Sequence, residues 1–124
     1  MFRYYNPNPL SKQVGDCTVR AITKLLNLSW DEVYDALCKE GHKLADMPSA
    51  NSVWGSYLRS KGFEVLPLAN TCPMCYTVTD FCREHPVGTY LLATGEHVVA
   101  VSGGDYFDCW DSGNEIPMYV WRHM

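Results

Sequence analysis

The chain has 124 residues, enough for one hydrophobic core and too few for two. It is 47% hydrophobic and 19% charged, a globular balance rather than that of a disordered chain. A formal charge of -4 argues against the basic face of a nucleic-acid binder, and no apolar run nears the about 18 residues of a membrane-spanning helix.

The opening stretch MFRYYNPNPL lacks the apolar segment of a secretory signal, so a soluble, cytoplasmic protein is expected. In that compartment the six cysteines are kept as thiols rather than as a disulfide framework. There is no repeat or linker, and residues 1–124 read as a single domain. Neither a cofactor nor an oligomeric state can be assigned.

Residues 1–16 carry Asn6, Pro7, Asn8, Pro9 and Gly15 and read as an ordered but irregular arm. A helix is expected from Asp16, its carboxylate capping free N–H groups, with Val19, Ile22, Leu25 and Leu26 at helical spacing. Ser29 and Glu32 form a capping box for a second helix, with Trp30, Val33, Tyr34, Leu37 and Cys38 as its apolar stripe and Gly41 as its end. Pro48 and Ser49 open a weaker third helix through Val53, Trp54, Tyr57 and Leu58, closed by Gly62. Phe63 to Leu68 alternates as a strand. Thr77 then caps a short helix, with Asp80 at its third position, that Pro86 stops.

From Gly88 the pattern changes. GTYLLAT, HVVAVSG, DYFDCWD and IPMYVWR are rich in β-branched and aromatic residues and are separated by turn residues. Short glycine-containing connections favour hairpins, hence an antiparallel sheet. Helices before strands give an α+β class, N-terminal helices packed on a C-terminal antiparallel sheet.

Cys17 follows the irregular arm in the first turn of a helix, where unpaired N–H groups and the helix dipole favour the thiolate. His97 opens the strand HVVAVSG at a sheet rim. A hairpin turning at Gly103–Gly104 or Gly104–Asp105 places His97, Asp108 and Trp110 on one face. Asp108 is then the preferred carboxylate to hold the imidazole. Asp111 falls on the opposite face and reaches His97 only if the strand ends or bulges.

A Cys heading a helix near the N-terminus, a distant strand-opening His and an acidic residue on the next strand resemble the papain-like cysteine peptidases. The matching segments are Gly15-Asp16-Cys17, His97-Val98-Val99-Ala100-Val101, and Asp108-Cys109-Trp110, which looks like the family's Asn-Ser-Trp with Asp for Asn. The bacteriocin-processing branch, with Asp as third member, is a more distant likeness. The texture of RAITKLLNLSWDEVYDAL and of the tail is similar to small papain-like proteins of phages and Gram-positive bacteria. The resemblance implies a papain-like fold and hydrolysis of a peptide or isopeptide bond in a protein or peptide substrate. It also implies an oxyanion-holding Gln about six residues before the Cys. Here position 11 is Ser, leaving Gln13 or Asn8 to serve with the Cys17 backbone N–H.

Other readings compete. One is an inactive protein-binding module on the same fold. Cys72-Pro73-Met74-Cys75 looks like a glutaredoxin-type redox pair. The same cysteines with Cys82 and His85 have the spacing of a structural zinc site. Cys38 and Cys109 read as core thiols, Trp30, Trp54 and Trp121 as core aromatics, His42 as solvent-facing and His123 as mobile.

Overall fold

The computed structural model describes residues 1–69 and 74–124. Its elements are β1 (Phe2–Tyr4), α1 (Cys17–Leu26), α2 (Trp30–Leu44), α3 (Asn51–Ser60), β2 (Phe63–Pro67), α4 (Val78–Glu84), β3 (Thr89–Ala93), β4 (Val98–Ser102), β5 (Asp105–Asp108) and β6 (Tyr119–His123). The class is α+β, with four helices and a six-stranded sheet among the described residues, in strand order β1-β5-β4-β3-β6-β2. No helix among them is long and apolar enough to cross a membrane.

The sheet is mixed, not purely antiparallel. β1 runs parallel to β5, pairing Phe2 with Tyr106, Arg3 with Phe107 and Tyr4 with Asp108. The first residues are therefore an edge strand rather than an irregular arm. Three residues are too few to show alternation, and the Phe2 ring 5.6 Å from Tyr106 and the Arg3–Asp105 ion pair at 3.1 Å set the strand in place. The other edge is β2, which reaches the sheet through antiparallel pairing with β6.

Both sheet faces are covered. α1, α2 and α3 pack on the face of Leu91, Ala93, Val98, Ala100 and Trp121. α4 packs with Val78, Phe81 and Cys82 on the face of Leu92, Val99, Val101, Tyr106 and Val120. The unbroken apolar runs Leu91-Leu92-Ala93 and Val98-Val99-Ala100-Val101 follow from this, because alternate residues meet different helices. Burying those two faces supplies most of the folding drive, at about 25 cal/mol per Å² of apolar surface.

Local signals set several boundaries. Ser29 Oγ accepts from Glu32 N at 3.1 Å while Glu32 accepts from Ser29 N, and Thr77 with Asp80 repeats the arrangement on α4. Gly103 and Gly104, both at positive φ, make the two-residue turn that pairs Ser102 with Asp105 and Val101 with Tyr106.

α2 does not end at Gly41 but continues to Leu44, with Ala45 as its left-handed cap. Gly41 is instead a point of close approach, where a Cβ would stand 2.7 Å from the Asp46 carbonyl oxygen and 3.3 Å from Pro48 N. Gly41→Ala is therefore expected to lose about 1–3 kcal/mol from overpacking, although alanine is the better helix former. Urea unfolding checks this, and an unchanged or raised midpoint would contradict it.

Candidate active site

The first turn of α1, the head of β4 and the end of β5 meet at one rim of the sheet. α1 places Cys17 there because Asp16 closes the preceding arm and the helix starts at the cysteine itself. His97 stands one residue before β4, its backbone N–H donating to Thr94 Oγ1 at 3.1 Å and its carbonyl accepting from Thr94 N at 2.8 Å. Those two bonds fix the loop that carries the imidazole.

His97 Nε2 lies 2.6 Å from Asp108 Oδ2. The imidazole also interacts electrostatically with the Cys17 thiol, and both residues line one cavity. Asp108 is fully buried, and both of its carboxylate oxygens have partners. Oδ2 also accepts from Ser112 Oγ at 2.7 Å, while Oδ1 accepts from Cys109 N at 2.8 Å and meets Arg20 Nη2 at 3.1 Å. A carboxylate held by four partners cannot turn away from the imidazole, so it fixes the ring's orientation.

Asp111 points elsewhere. Its carboxylate accepts from Tyr106 Oη and from Gly113 N. Asp108 is thus the residue paired with His97. Trp110 follows on the same side, its ring centroid 4.8 Å from that of His97, and covers the imidazole while remaining partly exposed itself.

Behind Asp108 runs a buried polar chain. Arg20 Nη1 donates to Asp16 Oδ1 at 2.7 Å, and Trp30 Nε1 donates to Asp16 Oδ2 at 2.9 Å. Asp16 was expected to cap α1 with its carboxylate, but it makes no such cap bond. Both oxygens are committed to Arg20 and Trp30, and a charged guanidinium is the stronger partner. Arg20 and Asp16 are almost wholly buried, and no buried side-chain N or O among the described residues lacks a hydrogen bond.

The charges follow this geometry. Burial opposes the Cys17 thiolate, but the His97 hydrogen bond, the Val98 N–H, the His97 charge and the Thr18 hydroxyl outweigh it and lower the thiol's pKa. Burial likewise opposes the imidazolium, yet hydrogen bonds to Asp108 and Cys17 push His97 up to about 9. Asp108 is held below the usual carboxylate range despite burial, by hydrogen bonds from His97 and Ser112 and by the charges of His97 and Arg20. The two shifts have the same sense, a lowered thiol and a raised imidazole, and both favour a thiolate beside an imidazolium.

The other residues singled out in the sequence lie away from this rim. Gln13 is exposed, with Nε2 3.5 Å from Tyr4 Oη, and it does not line the cavity at Cys17. Asn8 is spent on its own loop, its Oδ1 accepting from Leu10 N at 2.9 Å and Lys12 N at 3.3 Å. Neither is placed as an oxyanion donor. The Cys17 backbone N–H remains, since the first N–H groups of a helix have no intrahelical acceptor.

Cys72 and Pro73 lie outside the described residues, so the redox-pair and zinc patterns are not described as whole sets. Cys82 is buried in the core, its thiol pushed up to about 11 by desolvation. The His85 ring stacks on Phe81 at 3.8 Å, and its Nδ1 lies 2.9 Å from the Phe81 carbonyl. No group of three or more His, Cys, Asp or Glu is placed for a metal among the described residues.

Cys38 and Cys109 are half-buried rather than core, and His42 is exposed. Trp54 and Trp121 are core, whereas half-buried Trp30 also holds Asp16. His123 is not a loose end: it closes β6 opposite Phe63, its ring edge-on at 5.1 Å.

Arg20 and Ser112 join the site although the sequence reading does not single them out. Arg20 carried a signal, the i,i+4 spacing from Asp16, but Ser112 carried none.

Cys17 and His97 open into a cavity of about 690 Å³ bounded by Thr18, Trp54, Met118 and Trp121. Its volume suits a peptide-sized ligand. Compared with family models, with curated proteins and with solved structures, the chain matches none.

Proposed function

We propose that this protein is a thiol hydrolase of the papain-like type, with Cys17 as nucleophile, His97 as acid and base, and Asp108 as the group that holds His97. The observation that carries this reading is the meeting of Cys17 and His97 in the lining of one cavity, with the imidazole held by the 2.6 Å Nε2–Oδ2 contact to Asp108.

The reaction class is acyl transfer, most simply hydrolysis of a peptide or isopeptide bond. The Cys17 thiolate adds to the carbonyl carbon, and the oxyanion forms at the head of α1, where the Cys17 N–H and the helix dipole stabilise it. His97, already protonated, delivers its proton to the leaving amine as the C–N bond breaks. Neutral His97 then takes a proton from water, the hydroxide equivalent adds to the thioester, and Cys17 leaves as thiolate with the acid product. The cycle ends with the imidazolium restored.

The pH dependence follows from the two groups. Turnover needs deprotonated Cys17 and protonated His97. Activity is expected to rise at a pH below the ordinary thiol range and to fall as pH passes about 9. Mass-spectrometric screening of a peptide library at several pH values, with Cys17→Ala as control, checks this. Cleavage that survives Cys17→Ala would contradict the assignment.

A further inference from the structure

The cavity at Cys17 is lined by two charged side chains that the chemistry above leaves unused, Arg59 and Glu96. The chain has five arginines. Four of them hold carboxylates: Arg3 with Asp105, Arg20 with Asp16 and Asp108, Arg83 with Asp80, and Arg122 with Glu64. Among the five arginines, all of them described residues, Arg59 alone joins no ion pair, and it is the arginine that faces the cavity.

Arg59, itself exposed, also sits over an aromatic ring. Its guanidinium carbon lies 5.3 Å from the centre of the Trp121 ring, a cation–π arrangement that leaves the edges of the fork free. Gly55, one turn earlier on α3, lies beside it at ordinary contact distance. A Cβ there would stand 3.4 Å from the Trp121 ring and 3.6 Å from Arg59 Nη1. Trp54 extends the same floor, its ring centroid 5.5 Å from that of Trp121. A planar donor fork resting on an aromatic floor is pre-organised for a carboxylate. Glu96, next to His97 in the chain, repels an anion from its own part of the cavity, which sets the polarity.

We propose that Arg59 is a carboxylate-binding subsite of the Cys17 cavity. The substrate brings an acidic side chain or a free terminal carboxyl onto the Arg59 fork while its reacting carbonyl meets Cys17. The assignment rests on the hydrolase reading and names the substrate's distinguishing group.

The test measures Cys17 alkylation by three iodoacetyl probes, each built with spacers of zero to three glycines. One ends in glutamic acid α-amide, one in glutamine with a free carboxyl, and one in glutamine amide. At one spacer length an acidic probe is expected to react about tenfold faster than the neutral one, and which acidic probe does so identifies the source of the carboxylate. Arg59→Ala should abolish the advantage and Arg59→Lys should keep part of it, with plain iodoacetamide reacting equally in all three proteins. Equal rates for acidic and neutral probes at every spacer would overturn the subsite, as would an advantage that persists in Arg59→Ala. A Cys17 that meets plain iodoacetamide as an ordinary thiol overturns the hydrolase reading instead. The Arg59-dependent ratio between probes decides the subsite by itself.

Discussion

Arg20→Met is expected to lower folding stability by about 3–5 kcal/mol, the cost of leaving buried charge without its partner. Arg20 is 3% exposed and bridges two carboxylates, with Nη1 at 2.7 Å from Asp16 and Nη2 at 3.1 Å from Asp108. Methionine fills similar volume but leaves both carboxylates facing apolar surroundings. Either they take up protons or the site opens to water, and each route costs free energy.

Arg20→Lys should fall between the two. It keeps the charge, but one ammonium cannot reproduce a fork that donates separately to two carboxylates. Urea unfolding of both variants is the check, with circular dichroism confirming a folded starting state. A midpoint for Arg20→Met equal to that of the parent would mean the buried chain contributes nothing net.

Asp108→Asn should have the largest effect on reactivity, and Asp111→Asn almost none. With Asp108 neutral, His97 loses its closest counter-charge, and its pKa falls from about 9 toward the ordinary 6.5. The imidazolium charge that favours the thiolate is then weakened, and the Cys17 pKa rises. Hydrolysis is expected to fall on the order of 10²-fold or more, as when a triad's orienting carboxylate is neutralised. Alkylation of Cys17 near pH 6 should slow about tenfold with the loss of thiolate.

Asp111 binds Tyr106 Oη and Gly113 N and has no bond to His97. Its substitution should cost about 1 kcal/mol of stability and leave Cys17 alkylation unchanged. Equal losses from both variants would show that the 2.6 Å contact is not the one that matters.

How much of this was legible in the sequence depended on whether the deciding interaction is local. Ser29 with Glu32 and Thr77 with Asp80 announce their helices because each capping box closes within four residues. The Gly103–Gly104 turn sets the β4–β5 register, and from that register Asp108 rather than Asp111 falls beside His97. Cys17 and His97 were recognisable because helix-start and strand-start positions are themselves patterns.

What stayed hidden depends on residues far apart in the chain. β1 lies parallel to β5 across about a hundred positions, and its three residues have no period to read. Ser112 is indistinguishable from any loop serine until β5 brings Asp108 to within 2.7 Å of it. Gly41 has the look of a helix stop, yet it marks where the chain returns at Asp46 and Pro48. Gln13 and Asn8 show the converse. Residue type and proximity to Cys17 suggested an oxyanion role, but the loop uses Asn8 for its own backbone and leaves Gln13 exposed beside Tyr4.

The proposed chemistry requires Cys17 and His97 to form an ion pair poised for nucleophilic attack. Iodoacetamide labelling of Cys17, measured from pH 4 to pH 10 with mass-spectrometric site mapping in the parent and in His97→Ala, tests it most directly. Cys17 is expected to label well below the free-thiol pKa of about 8.5, and His97→Ala to move its profile up to or beyond that value. A Cys17 that labels no faster than Cys38 or Cys109, or whose profile does not change without His97, would contradict it.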